Sequence, residues 1–322
     1  MKLIKFDPIF KSTLWGGKRI ASFKGVEVGE SHIGESWEIS AVEGSESVVS
    51  DGSDKGLAIS QVIAKYRDAL VGKSVYEKYG NVFPLLLKFI DASRDLSIQV
   101  HPDDDLARQR HGQSGKTEMW YIVDSAPGAS LLLGFSDNLT KEEYLNSVAN
   151  HTIADHLCRY DVKKGDCFFI PAGRIHSIGA GTFLAEIQET SDITYRIYDF
   201  NRRDENGNLR QLHTDLAVDA IDYCVKDSYR TEYDPADDRV AALVSCEHFS
   251  SSVLTLTTGH TFDLTERDSF TVVMVCDGDV KITADEEERT ACRGETILVA
   301  ASVGKLILTP LSHKAVVLLS HL

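Results

Sequence analysis

Residues 165–176, GDCFFIPAGRIH, decide the fold class. Cys167 to Ile170 form a short apolar and aromatic run of strand type, and Pro171, which has no N–H to give a ladder, closes it. Gly173 then gives the backbone the freedom for a tight turn, and His176 follows three positions later. A turn so built delivers a histidine into the interior of a β structure. Upstream, SIQVHPDD (97–104) and KTEMWY (116–121) hold the partners such a histidine would need. Side chains two apart in a strand share a face, so Gln99 and His101 point together, as do Lys116, Glu118 and Trp120. Two imidazoles and one carboxylate suit a borderline divalent cation and leave a coordination position open for water or substrate. Structural zinc sites more often use thiolates.

The spacing of Gly165, Pro171, Gly173 and His176 matches the second sequence motif of cupin barrels. Longer stretches widen the likeness: PIFKSTLWGG (8–17), GESWEIS (34–40), PLLLKFIDASRDLSIQVHPDD (84–104), GKTEMWYIV (115–123), PAGRIHSIGAG (171–181) and ETSDITYRIYDFNR (189–202). On these motifs the chain resembles the type I mannose-6-phosphate isomerases, also called phosphomannose isomerases, in their short bacterial form. The resemblance implies one Zn2+ per chain on His101, Glu118 and His176, with Gln99 bound directly or through a water. It also places the family's active-site arginine at Arg196 and a carboxylate near the substrate at Glu186. Only 57 residues lie between Glu118 and His176, so the large helical insert of the longer eukaryotic members is largely absent.

The implied fold is mainly β: two cupin-type, jelly-roll β-barrels with a small helical portion attached to the first. Strand-like runs such as VFPLLLKFI, EMWYIV, SLLLGF, TFLAEIQET and TYRIYDF agree with it. Two segments read as helices. ISQVIAKYRDALVG carries apolar residues at Ile59, Val62, Ile63, Tyr66 and Leu70, and Thr140 with Glu143 forms a capping box. DSYRTEYDPADDR (227–239) is polar and holds Pro235, which makes it the candidate linker. The expected division is a catalytic metal-binding unit over residues 1–235 with helical insertions, and a smaller degenerate cupin-like unit over 236–322. In the latter, counting from Gly294 puts Ala300, Ser302 and Lys305 where Pro171, Gly173 and His176 stand, so the metal ligand is lost there.

Composition narrows the function class. The formal net charge of −15 disfavours nucleic acid or an anionic membrane as partner, because the long-range field repels both. A phosphorylated substrate would then need local positive charge. The six cysteines contain no CxxC pair, no leader-like apolar segment is evident, and no run reaches the roughly 18 apolar residues of a membrane helix. The expectation is a cytoplasmic enzyme of carbohydrate metabolism, monomeric or weakly dimeric.

The resemblance implies reversible interconversion of mannose 6-phosphate and fructose 6-phosphate through an enediol or enediolate. Alternation puts Glu186 and Gln188 on one strand face and Glu189 on the other. Glu186 is the expected acid/base residue, and Arg196 suits either enediolate stabilisation or phosphate binding. Lys88 interrupts the run PLLLKFI, where a buried ammonium needs a partner or a task. With Ser97 and Lys116 it forms the expected substrate-binding set. Trp15 and Trp37 would pack or wall the pocket, and between Glu35 and Glu38 nothing chooses. Other readings are a non-catalytic sugar-binding cupin, an isomerase of another sugar or sugar phosphate, and a metal-dependent oxygenase. The last would usually lack these phosphate-directed cations.

Overall fold

The computed structural model describes residues 2–29, 32–203 and 206–322, and in it the chain is mainly β, with antiparallel ladders in every named sheet. One seven-stranded sheet runs in the order Arg230–Thr231, Cys167–Ile170, Glu118–Ser125, Thr182–Glu189, Leu85–Asp91, Ile33–Ile39 and Ile9–Gly17. A five-stranded sheet of Leu157–Asp161, Ser130–Phe135, His176–Ile178, Ile98–Val100 and Tyr195–Tyr198 lies against one of its faces. Trp120, Ile122, Phe168 and Leu184 of the first sheet share a buried apolar cluster with Leu131, Leu133 and Ile178 of the second.

The other face of the seven-stranded sheet presents Leu85, Leu87, Phe89, Met119, Ala185 and Ile187 to a larger core. That core is completed by Val272, Met274, Leu298 and Leu318 of a second seven-stranded sheet and by Ile282, Leu306 and Leu308 of a four-stranded one. Strands such as Leu85–Asp91 are therefore buried on both faces and read as continuous apolar runs.

The second seven-stranded sheet is not built from C-terminal strands alone. Leu3–Asp7 pairs with Thr296–Val299 on one side and Val48–Val49 on the other, with Leu3 opposite Val299. Leu3, Ile4 and Phe6 all enter the shared core.

Helices fill the ends of this stack. Thr140 caps Lys141–Ala149 through its side chain, Glu143 returns the bond to the Thr140 N–H at 2.8 Å, and the helix packs under the five-stranded sheet. The segment expected as one helix from Ile59 instead breaks at Arg67 (φ 50°) into Ile59–Tyr66 and Asp68–Val71. The break has a tertiary cause. It turns Leu70 and Val71 into the core and aims the Ala69, Leu70 and Val71 carbonyls at the N–H groups of Ser302, Ala301 and Phe270. The segment 227–239 likewise does more than link: Arg230–Thr231 pairs with Cys167–Ile170, and Tyr229 is buried. Among the described residues, no helix is long and apolar enough to cross a membrane.

Because Leu3 is fully buried in a sheet made mostly of distant sequence, Leu3→Ala should cost about 2–5 kcal/mol of unfolding free energy. Chemical denaturation checks this, and a midpoint equal to that of the parent would contradict the core described.

Candidate functional site

Two cross-strand rows facing each other build the site. On the seven-stranded sheet Trp37 pairs with Lys88, Lys88 with Glu186, and Glu186 with Trp120. On the five-stranded sheet Leu133 pairs with His176, His176 with Gln99, and Gln99 with Arg196. Glu118 lies two residues before Trp120 on the same face of its strand. From there its carboxylate meets His101 Nε2 and His176 Nε2, each at 3.5 Å.

The turn read from sequence has a defined purpose. Gly173 sits at φ 87°, its N–H donates to the His101 carbonyl at 2.9 Å, and a Cβ there would stand 3.0 Å from the Ala220 carbonyl oxygen. A side chain is thus unfavourable on both conformational and steric grounds. The turn pins the segment before His176 to His101.

Each imidazole is oriented from behind. His101 Nδ1 donates to the Ile193 carbonyl and His176 Nδ1 to the Arg174 carbonyl, both at 2.8 Å. These bonds place the protons on Nδ1 and leave both Nε2 lone pairs directed at Glu118. Burial pushes both histidines below their usual pKa, His176 to about 4, and the Lys116 charge adds to the effect. Both rings are neutral at pH 7.

The three groups have at most 1% exposure, yet His101 Nε2 and Glu118 Oε1 lack any hydrogen-bond partner, and Glu118 Oε2 has only the Lys116 ammonium, 3.1 Å away. Unpaired buried polar atoms ordinarily cost about 1–3 kcal/mol each. Here the donor atoms of His101, Glu118 and His176 converge to within 4.8 Å of one another, which fits a small divalent cation with nitrogen and oxygen ligands. Gln99 Nε2 stands 3.2 Å from His176 Nε2, so its amide is at the edge of the same space. Burial raises the Glu118 pKa, the neighbouring Glu186 charge raises it further, and Lys116 at 3.1 Å only partly offsets both.

In front of the triad opens a cavity of about 960 Å³. Its wall includes Lys88, Ser97, Gln99, Lys116, Glu186 and Arg196, so the expected substrate-binding and catalytic residues share one space with the group beside the triad. Lys88 does not snorkel: it is 5% exposed, 3.0 Å from Glu186 Oε1 and 3.6 Å from Glu35 Oε2. Trp120 Nε1 donates to Glu186 Oε2 at 2.9 Å. Burial opposes ionisation of Glu186, but Lys88 and Lys116 override it and hold its carboxyl below the usual range. A carboxylate held ionised in this way is a weaker proton acceptor than one raised toward neutral pH. Arg196 donates through Nη1 to the Gln211 carbonyl at 3.0 Å, while its buried Nε is unpaired. Trp15 and Trp37 also line the cavity, as do Arg94 and Arg210. No sequence signal marked these two arginines, which come from irregular surface segments.

The comparisons with known proteins agree with one another. Residues 3–122 match the model of the phosphomannose isomerase type I catalytic domain, and residues 239–318 that of the mannose-6-phosphate isomerase cupin domain. The chain is 33% identical over 320 residues to mannose-6-phosphate isomerase ManA of Bacillus subtilis, covering 98% of each. It is 39% identical over 220 residues to mannose-6-phosphate isomerase of Streptococcus mutans, covering 67% of this chain and 68% of that one. The crystal structure of the mannose 6-phosphate isomerase from Bacillus subtilis superposes with a TM-score of 0.90 at 28% identity over 100% of both chains. A phosphomannose isomerase structure from Salmonella typhimurium, at 14% identity and TM-score 0.78 over 99% of each chain, shares the fold.

With its pKa raised, Glu118 carries more bound proton at pH 6 than at pH 8, and a cation must displace it. Uptake of an added divalent cation such as zinc should therefore release more protons at pH 6 than at pH 8, as read by calorimetry in buffers of different ionisation enthalpy. His176→Ala should lower zinc affinity by at least about tenfold. Full affinity in that variant would move the cation elsewhere.

Proposed function

Because this chain belongs to the type I mannose-6-phosphate isomerase family, we propose that it interconverts mannose 6-phosphate and fructose 6-phosphate with one Zn2+ per chain through an enediolate. One observation carries the cation: the buried His101–Glu118–His176 triad, whose donor atoms converge with His101 Nε2 and Glu118 Oε1 left without any partner, beside a cavity rich in cationic side chains. We assign His101, Glu118, His176 and Gln99 to hold it. When bound, the cation supplies Lewis-acid stabilisation of negative charge on the sugar oxygens, worth several kcal/mol.

The remaining work falls to the protein's own groups. Interconversion requires an open-chain sugar and a proton moved between C2 and C1, with negative charge held meanwhile on O1 and O2. Arg196 is always charged, lines the cavity and has an unsatisfied Nε, so it suits stabilisation of that charge or of the phosphate. Lys116 brings a second cation against Glu118, and Ser97 offers a hydroxyl on the same wall. Lys88 and Glu186 act as a pair. The ionised Glu186 keeps Lys88 charged and, with Trp120, fixes its position at a hydroxyl of the sugar. We therefore assign Glu186 to orientation in place of the acid/base role expected from sequence. In a chain of net charge −15, this cluster of lysines and arginines provides the local field that a phosphorylated hexose needs.

The two pairs of facing sheets fit two jelly-roll units, divided near residue 235, with Leu3–Asp7 exchanged into the second. Six cysteines free of disulfides suit a cytoplasmic setting.

A coupled assay with mannose 6-phosphate tests the reading. Activity should vanish with chelator and return with zinc, and a folded, zinc-loaded protein without turnover would favour a sugar-binding role. Arg196→Ala should keep its zinc and lose about 10²–10³ in kcat. Glu186→Gln should fold less stably, by up to about 3–5 kcal/mol, because it leaves the buried Lys88 ammonium with only Glu35, 3.6 Å away, as counter-charge.

A further inference from the structure

On the opposite side of the Lys116–Glu118 strand lies a second cluster of Asp104, Glu189 and His248, whose donor atoms also fall within 4.8 Å of one another. Its hydrogen bonding differs from that of the first triad. Glu189 Oε1 accepts from the Thr117 N–H at 2.7 Å, and Glu189 Oε2 meets His248 Nδ1 at 2.9 Å. Asp104 Oδ1 accepts from the Gly115 N–H, also at 2.7 Å. The orphaned atoms that mark the first triad as a cation site have no counterpart here, so this cluster is a hydrogen-bonded brace.

What the brace holds is informative. Thr117 stands between Lys116 and Glu118, and Glu189 grips it twice, because the Glu189 N–H also donates to the Thr117 carbonyl at 3.1 Å. The Thr117 hydroxyl in turn accepts from the Ala172 N–H at 3.3 Å, inside the turn that precedes His176. One residue thus joins the strand carrying Glu118 to the turn carrying His176. His248 reaches this junction from a different layer: it sits in the turn between Val240–Ser245 and Ser250–Leu256, which Phe249 anchors in the large core. Its side chain is 20% exposed and that of Glu189 9%, so the pair is only partly screened by water.

We propose that His248 is a positioning residue: through Glu189 and Thr117 it sets the placement of Lys116 and Glu118, which gives the C-terminal sheet a part in the chemistry. The inference rests on the isomerase reading above. The carboxylates about His248 are Glu189, Asp104 and Glu247, with the Lys78 ammonium close to the last two; the Glu189 contact raises the imidazole pKa, and burial opposes it. The brace is strongest while His248 is protonated and weakens as pH rises through its titration.

The test uses zinc-loaded full-length protein with His248→Ala and His248→Asn, the latter chosen because an asparagine amide can place a donor where Nδ1 stood. His248→Ala should lower kcat about tenfold and zinc affinity by a similar factor, with KM for mannose 6-phosphate changed less than twofold. His248→Asn should recover most of both and show less fall in kcat on the alkaline side than the parent. Parental kcat and zinc affinity in His248→Ala would overturn the proposal. So would an equal loss in both variants, which would mark His248 as merely structural. If the parent protein itself neither binds zinc nor turns over mannose 6-phosphate, the isomerase reading has failed instead.

Discussion

Charge buried between two sheets is the constraint on which this structure depends. Lys88, Lys116, Glu118 and Glu186 are each at most 5% exposed, and an isolated ion in such a place would cost several kcal/mol. The chain meets this by pairing: Lys88 with Glu186, Lys116 with Glu118, and the second Glu186 oxygen with the Trp120 indole N–H. Because Lys88, Glu186 and Trp120 come from neighbouring strands of one sheet, their pairing works only if the register is right. A slip by one residue would turn each row to the wrong face and leave the charges in the apolar core. The polar site therefore also acts as a register lock for the sheet that carries it.

The two apolar cores support this arrangement from both sides. Trp120, Ile122 and Phe168 pack toward the five-stranded sheet, while Met119 and Tyr121 of the same strand face the large core. The strand that presents Glu118 is thus clamped along its length, and the site is as rigid as the sheet. The sequence from 236 onward, to which no chemistry attaches on its own, forms the far wall of that clamp.

Much of this was legible in the chain. The Gly165–His176 spacing, the alternation in SIQVH and KTEMWY, and the Thr140–Glu143 capping box are local patterns, and local geometry decides them. Lys88 stood out because a lysine in PLLLKFI needs a partner, although its partner Glu186 lies 98 positions away and is set by strand pairing. What escaped was long-range. The break at Arg67 follows from carbonyls claimed by residues 270–302, and Arg94 and Arg210 reach the cavity from segments without periodicity. How readily Glu186 takes up a proton was not legible, since an acid's strength depends on surroundings that only the folded sheet supplies. His248 carried no signal because its turn comes from a sheet remote in sequence from the site.

Leu3–Asp7 has a bearing on how the protein is made. Its partner strand Thr296–Val299 leaves the ribosome about 300 residues later, which at cellular synthesis rates is a wait of roughly 15–60 s. Through that interval a segment destined for a sheet interior has no permanent neighbour on one side. The second seven-stranded sheet can close only once residue 299 has emerged, so a ribosome stalled short of that point would hold an unfinished edge that other nascent chains could extend. Survival of this topology thus depends on the cell's handling of incomplete chains as well as on the free energy of the finished one.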